Sequence, residues 1–254
     1  PFGMTAGEIS AWLRDMGGQA LWDRVYDEFG LKGFPAGQTG VQAGGWFRQE
    51  ITSLDDVKGL KFRTPGLGGE VWRKLGAAVT NMPGGEIFTA LQSGRLDAAE
   101  FVGPLTDLAL GFYKVAPYYY WPSFTEPGMA TELAVNKSWY TELPKDLQRI
   151  IAVACEADYQ AVHAEFTARN ADALRTLKQE HGVAVKTFPE ALMIAGGKAA
   201  AEVIENLRTE GDKLTRETVE SFLEARRKFM DWSGIADEAY LQARQLAFDK
   251  AALE

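Results

Sequence analysis

The sequence has 254 residues, 46% of them apolar and 24% charged, which is the balance of an ordinary globular protein long enough for two compact domains. Lysine and arginine number 27 against 35 acidic residues, a net charge of −8 with no basic run, which counts against nucleic acid or an anionic membrane as a partner. One cysteine, Cys155, excludes an intramolecular disulfide and a cysteine zinc site; no apolar run is long enough for a membrane span, and no signal-peptide pattern is present.

Residues 6–30 read as helix. Ile9, Trp12, Leu13, Met16, Leu21, Trp22, Val25 and Phe29 recur at roughly helical spacing, interrupted at Gly17-Gly18 and stopped at Gly30. A glycine-rich segment, 33–45, follows and contains Val41 and Gln42. Residues 53–57 suit a helical turn, 60–63 alternate as a strand, and 65–69 turn. A short helix at 70–76, a strand at 77–81, a helix at 83–92 and a strand at 96–102 come next, closed by Gly103-Pro104. This alternation predicts an α/β sheet with parallel strands. The run Tyr118-Tyr119-Tyr120-Trp121-Pro122 reads either as an aromatic wall in a core or as the lining of a cleft. A strand is expected at 131–136 and a long helix at 144–181. That helix would extend about 57 Å, more than the diameter of one small domain, so it is expected to cross two. A strand at 183–187 precedes a helical remainder with breaks at Gly196-Gly197, near Gly211 and at Ser233-Gly234. No internal repeat is present.

Arg63 ends a predicted strand directly before a Pro/Gly turn, the place where open α/β sheets bind ligands. Its planar fork suits a carboxylate, although on position alone a surface ion pair is the commoner explanation. Glu100 occupies the equivalent place on the next strand, between apolar residues. Burial there is expensive unless the carboxylate is paired or binds a cation; a half-exposed strand residue is the plainer alternative. Glu126, between the aromatic run and Pro127-Gly128, suits a cation ligand or a solvated turn. His163 and His181 lie about 27 Å apart along one helix, too far for a shared metal. No nucleophile elbow, P-loop or dinucleotide fingerprint occurs. As an acid and base, Glu100 and Glu126 leave a metal-dependent hydrolase or glycosidase as the alternative function.

The stretches Gly-Val-Gln-Ala-Gly-Gly-Trp-Phe-Arg-Gln-Glu-Ile (40–51), Leu-Lys-Phe-Arg (60–63), Gly-Gly-Glu-Ile-Phe-Thr-Ala-Leu (84–91), Leu-Asp-Ala-Ala-Glu-Phe-Val-Gly-Pro (96–104) and Tyr-Lys-Val-Ala-Pro-Tyr-Tyr-Tyr (113–120) resemble one family. It is the periplasmic solute-binding component of tripartite ATP-independent periplasmic (TRAP) transporters, nearest to the branch for small 2-oxo or 2-hydroxy monocarboxylates. The likeness runs through most of the chain. It implies that the amino-terminal part of the family fold, on the order of 100 residues, is missing from this sequence. It also implies a two-lobed α/β fold, with a long helix crossing both lobes and a helical carboxyl terminus. Residues 1–40 would be a partial lobe I, 41–128 lobe II with the site, 129–168 a return to lobe I, 169–213 a return to lobe II, and 214–254 terminal helices.

The resemblance assigns Arg63 to the ligand carboxylate. Gln42, Glu100 and Glu126 would give side-chain oxygens to a cation, and Phe101 its backbone carbonyl; Gln42, Phe88 and Phe101 would also line the substrate pocket. The branch often has tryptophan where Phe101 stands, a change that a backbone ligand survives. An oxygen-only donor set selects a hard cation, sodium or calcium. Trp46, Phe88 and the 118–121 run are expected to shape an apolar pocket for a short aliphatic tail. The implied setting is the periplasm, the implied partners are the ligand and the TRAP membrane permease, and no catalytic residue is implied. A homodimer is expected through the terminal helices. Val219, Phe222, Leu223, Phe229, Met230 and Trp232 make a broad apolar surface there, followed by Tyr240, Leu241, Leu246 and Phe248.

Overall fold

In the computed structural model, which describes residues 1–251, the first expected helix is two. α1 (Ala6–Asp15) and α2 (Gly18–Asp27) part at Gly17, whose φ of 86° no continuing helix adopts. β1 (Leu31–Gln38) follows, a strand inside what reads as a glycine-rich loop. β2 (Gly45–Phe47), β3 (Lys61–Arg63), α3 (Gly66–Lys74), β4 (Ala78–Thr80), α4 (Gly84–Gln92) and β5 (Ala98–Ala99) come next. Of these, β3 to β5 lie where the alternation of strand and helix puts them. α5 (Pro104–Leu110), β6 (Tyr118–Tyr120), β7 (Ala130–Asn136) and α6 (Lys137–Glu142) lead to α7 (Lys145–Gln179), the long helix, about 52 Å from end to end. β8 (Ala184–Lys186), α8 (Glu190–Glu210), α9 (Lys213–Ile235) and α10 (Asp237–Ala251) complete the described chain.

One expected break is absent and one is displaced. α8 runs straight through Gly196-Gly197, because Gly196 admits the Phe124 ring: a Cβ there would lie 3.0 Å from Phe124 Cε2. α9 passes Ser233-Gly234 and ends at Ile235, so that break comes two residues later, at Ala236. The break at Gly211 is observed. No helix among the described residues is long and apolar enough to cross a membrane.

The strands form two sheets. β1 and β7 pair antiparallel, with a bulge between Pro35 and Gly37. The other sheet has the order β4-β3-β5-β2-β6-β8. It is mixed rather than parallel: β3 runs parallel to β4 and β5, and β6 to β8, while β2 is antiparallel to both its neighbours. The route of the chain explains the reversal. β2 enters the sheet from the edge at which β3, β5 and β6 leave it. Three segments pass between the two sheets: residues 39–44, residues 121–129, and α7. Tyr159 ties the first half of α7 to β1 and α1, since its hydroxyl accepts from Gln38 Nε2 (3.2 Å) and donates to the Ala6 carbonyl (2.8 Å). Asn170 ties the second half to α5 by accepting from Leu105 N (2.9 Å).

The large sheet is covered on both faces. Successive strand residues point to opposite sides. Phe47 and Tyr120 therefore join Phe62, Trp72, Phe124, Phe188 and Leu192 under α3 and α8. Trp46 and Tyr119, paired across β2 and β6, stack at 4.0 Å and join Ile87, Leu91, Phe112 and Leu177 on the other face. This corrects the expected pocket aromatics. Trp46, Tyr119 and Tyr120 are core residues, at most 1% exposed, and only Tyr118 and Trp121 of that run are partly exposed.

Asp107 sits fully buried in this second layer, where it accepts from Trp46 Nε1 (2.9 Å) and the Tyr119 (2.8 Å) and Thr106 (3.1 Å) hydroxyls. Burial pushes its pKa up to about 6, against the pull of those bonds. A carboxyl raised above its ordinary 3.8 leaves the fold most stable below that value, and the advantage is lost as pH rises through about 6. Urea midpoints are expected to fall from pH 4 to pH 7 by a component that Asp107→Asn removes. An unchanged slope in that variant would assign the effect elsewhere.

Candidate ligand and cation site

The shared sheet edge gathers the predicted residues. Arg63 is the last residue of β3, and Glu100 and Phe101 follow β5 directly. Gln42 precedes the amino end of β2, and Glu126 lies in the segment leaving β6. Parallel pairing of β3 with β5 sets Arg63 opposite Ala99, and Glu100 N then donates to the Arg63 carbonyl (2.9 Å). Gly45 permits the close approach of β2, with a φ of 128° and a Cβ position only 2.9 Å from the Ala99 carbonyl oxygen.

Arg63 is 8% exposed. Its Nε donates to the Met82 carbonyl (3.1 Å) and its Nη1 to the Glu100 carbonyl (2.7 Å), so two backbone oxygens hold the guanidinium plane. Nη2 makes no such bond. The carboxylate of Glu100 lies at the limit of an ion pair, Nη1 to Oε2 at 3.9 Å, and Oε2 also accepts from the Thr64 hydroxyl (3.3 Å). Phe101 lies with its ring centroid 5.9 Å from Arg63 Cζ, and Gly84 makes room for it, a Cβ there being 2.6 Å from Phe101 Cε2.

Two acceptors at this edge have no donor. Gln42 Oε1 and Glu100 Oε1 are both buried and without a hydrogen-bond partner, in side chains only 1% exposed. Burial pushes the Glu100 pKa up to about 8; nearby Glu126 adds to the rise and Arg63 opposes it. Glu126 is half-buried and is raised by burial, against the pull of Arg63. Its backbone N–H donates to Ser123 Oγ (3.0 Å), and Ser123 N donates to the Gln42 carbonyl (2.9 Å), so the two loops are joined. Two buried oxygens without a hydrogen-bond partner, one of them on a carboxyl that burial keeps from ionising, fit a hard cation, which would favour the charged form. No group of three or more His, Cys, Asp or Glu among the described residues could hold a metal, and the set at this edge draws on amide and backbone oxygens.

Phe88 lies half-buried on α4, packed against the core layer of Trp46 and Phe112 and 3.7 Å from a Cβ at Gly111. His163 faces Gly40, and His181 stacks on Tyr113 at 4.0 Å. Thr39, Thr64 and Asp107 carry no sequence signal that sets them apart. Each is a polar residue in an apolar or glycine-rich context, and each is buried and hydrogen-bonded.

Residues 1–210 match the DctP family, the bacterial extracellular solute-binding proteins of family 7. The chain belongs to that family. It is 38% identical over 240 residues to the monocarboxylate 2-oxoacid-binding periplasmic protein of Nostoc sp., an alignment covering 94% of this chain and 65% of the relative. The chain thus spans just under two thirds of that relative's length. Among solved structures it is similar to a TRAP periplasmic solute-binding protein from Colwellia psychrerythraea with bound calcium and pyruvate. That likeness has a TM-score of 0.92 and 42% identity, over 96% of this chain and 74% of the other. A second, from Pseudoalteromonas atlantica with bound sodium and pyruvate, has a TM-score of 0.90 at 42% identity, over 95% and 73%. A third, from Bordetella bronchiseptica, is a mixed-occupancy dimer with calcium and picolinate. Its TM-score is 0.93 at 34% identity, over 98% and 74%. These likenesses bear out the two-lobed α/β fold class. Family 7 binds solutes, so the hydrolase or glycosidase reading of Glu100 and Glu126 gives way.

Gly45→Ala tests the close approach at the heart of this edge. Strain at positive φ adds to the clash with the Ala99 backbone, and the expected loss is about 2–3 kcal/mol in urea unfolding. A loss below about 0.5 kcal/mol would show that the approach is not tight.

Proposed function

We propose that this chain belongs to a periplasmic binding protein that captures a small 2-oxo or 2-hydroxy monocarboxylate together with sodium or calcium and delivers it to the membrane permease of a TRAP transporter. The observation that carries the reading is the pair of orphaned oxygens, Gln42 Oε1 and Glu100 Oε1, buried beside the Arg63 fork. A buried polar atom without a partner costs about 1–3 kcal/mol, and a cation removes that cost for acceptors alone. The family match, the 2-oxoacid-binding relative and the pyruvate-bound structures support the same chemistry.

Gln42, Glu100 and Glu126 would hold the cation through side-chain oxygens and Phe101 through its carbonyl. When bound, the ion supplies a second positive centre for the ligand's carboxylate and its neighbouring keto or hydroxyl oxygen. Arg63 receives the carboxylate through Nη2 while Met82 and Glu100 keep its plane fixed. Phe101 and Phe88 would offer the apolar wall. Two glutamates and one ligand carboxylate carry −3 and Arg63 adds +1, so calcium neutralises the site and sodium leaves −1.

The lobe boundaries expected from the sequence belong to this proposal. β1 and β7 fall within 1–40 and 129–168, whereas β2 to β6 and β8 fall within 41–128 and 169–213. The terminal helices, 214–254, end beyond the described residues. The connecting segments carry Gln42 and Glu126, which supports a site on lobe II where it borders lobe I. A homodimer through α9 and α10 is proposed as well. Val219 and Phe222 are taken up within the chain, Phe222 against Trp12, but Met230, Trp232, Ile235, Tyr240 and Phe248 are exposed. Light scattering is expected to give twice the chain mass, and a monomer at high concentration would reject the dimer.

Calorimetry on chelator-treated protein tests the main reading. Pyruvate or lactate should bind once calcium or sodium is restored and be recovered unchanged. Arg63→Ala should cost about 2–5 kcal/mol, or roughly 30- to 5000-fold in affinity. Arg63→Lys should also weaken binding, because an ammonium lacks the two-pronged fork. Binding of sialic acid alone would refute the substrate class, and unchanged affinity in Arg63→Ala would take Arg63 out of the site.

A further inference from the structure

A side-chain amide can present either its oxygen or its nitrogen, and a cation accepts only the oxygen. We infer that Thr39 makes this choice for Gln42 and is thereby a positioning residue for the cation site, an inference that rests on the function proposed above. Thr39 lies in the 39–44 segment and is 4% exposed. Its hydroxyl makes three hydrogen bonds. It donates to the Gly40 carbonyl (3.0 Å), accepts from Met129 N (3.1 Å), and accepts from Gln42 Nε2 (3.1 Å).

A hydroxyl has one hydrogen and two lone pairs, so nothing is left over. The Gly40 carbonyl can only accept and the Met129 N–H can only donate. The third partner must therefore donate, and on Gln42 only the NH2 can. The amide nitrogen faces Thr39, which leaves Oε1 as the orphaned atom at the site. A flipped amide would set its oxygen against a filled lone pair and aim two N–H groups where the cation belongs. The node is anchored on both sides. Thr39 N donates to the Met129 carbonyl (3.1 Å), and Gln38 Oε1 accepts from Gly40 N (3.2 Å). The two loop segments that pass between the sheets thus meet at this threonine as well as at Ser123, and the orientation of the Gln42 amide depends on the contact at Thr39.

The test is calcium binding to the full chain, read by calorimetry, for Thr39→Val, which keeps the shape, and Thr39→Ser, which keeps the hydroxyl. Thr39→Val is expected to weaken calcium binding by about 10- to 100-fold, as loss of a partner behind a metal ligand does, and Thr39→Ser by less than about threefold. The same substitution is then made in a Gln42→Glu background. A carboxylate has no amide to orient, so there Thr39→Val is expected to cost less than about threefold, whereas loosened packing would weaken both backgrounds alike. Should Thr39→Val not fold, Thr39→Ala is read the same way. Calcium binding that Thr39→Val leaves unchanged, or weakens equally in both backgrounds, overturns this inference alone. A parent chain that binds neither calcium nor sodium overturns the functional reading and this inference with it.

Discussion

Taking a carboxylate out of water is among the largest penalties a fold can carry. Glu100 carries it at the end of a two-residue strand in the middle of a six-stranded sheet. One of its oxygens is compensated by Thr64 and by the edge of the Arg63 guanidinium, and the other has no hydrogen-bond partner. The surrounding groups limit the damage without removing it. Arg63 bonds the backbone carbonyl of Glu100 more closely than its carboxylate, so the arginine is fixed in place while part of its fork stays open. An anion and a cation arriving together would complete both residues at once.

The mixed sheet makes this arrangement possible. In an all-parallel sheet, only carboxyl ends would share an edge. Because β2 runs the other way, the loop before it meets the loops after β3, β5 and β6. Four stretches of chain, distant in sequence, then place an amide, an arginine and two glutamates within one region. Two of those stretches also connect the sheets, and Ser123 and Thr39 fasten them to each other. Any motion of one sheet against the other acts directly on the groups that would hold a ligand.

Much of the fold was legible. The period-2 pattern at Leu60–Lys61–Phe62–Arg63 and the long helix from Lys145 are local signals with local causes, and both lie where expected. β1 was hidden because Gly33, Pro35 and Gly37 are poor strand formers; its pairing with β7 and the packing of α7 override that preference. The aromatic run was ambiguous because burial on one face or on both gives the same composition. Pairing with β2 settled Tyr119 and Tyr120 as core and left Tyr118 and Trp121 partly exposed.

For the site, the sequence alone determined which residue types could serve: an arginine and a glutamate at successive strand ends, a loop glutamate, and a glutamine among glycines. Their chemistry is intrinsic, and their positions at strand ends follow from short-range pattern. Which oxygen of each residue is free is a different kind of fact. It depends on the partners of the remaining atoms, and those partners come from other strands and loops. Thr39 and Thr64 are ordinary polar residues until the fold brings them against Gln42 and Glu100, and the backbone of Met129 saturates Thr39 only because a distant loop returns to it. Hydrogen-bond saturation is a property of contacts between distant segments, so only the tertiary structure could decide it.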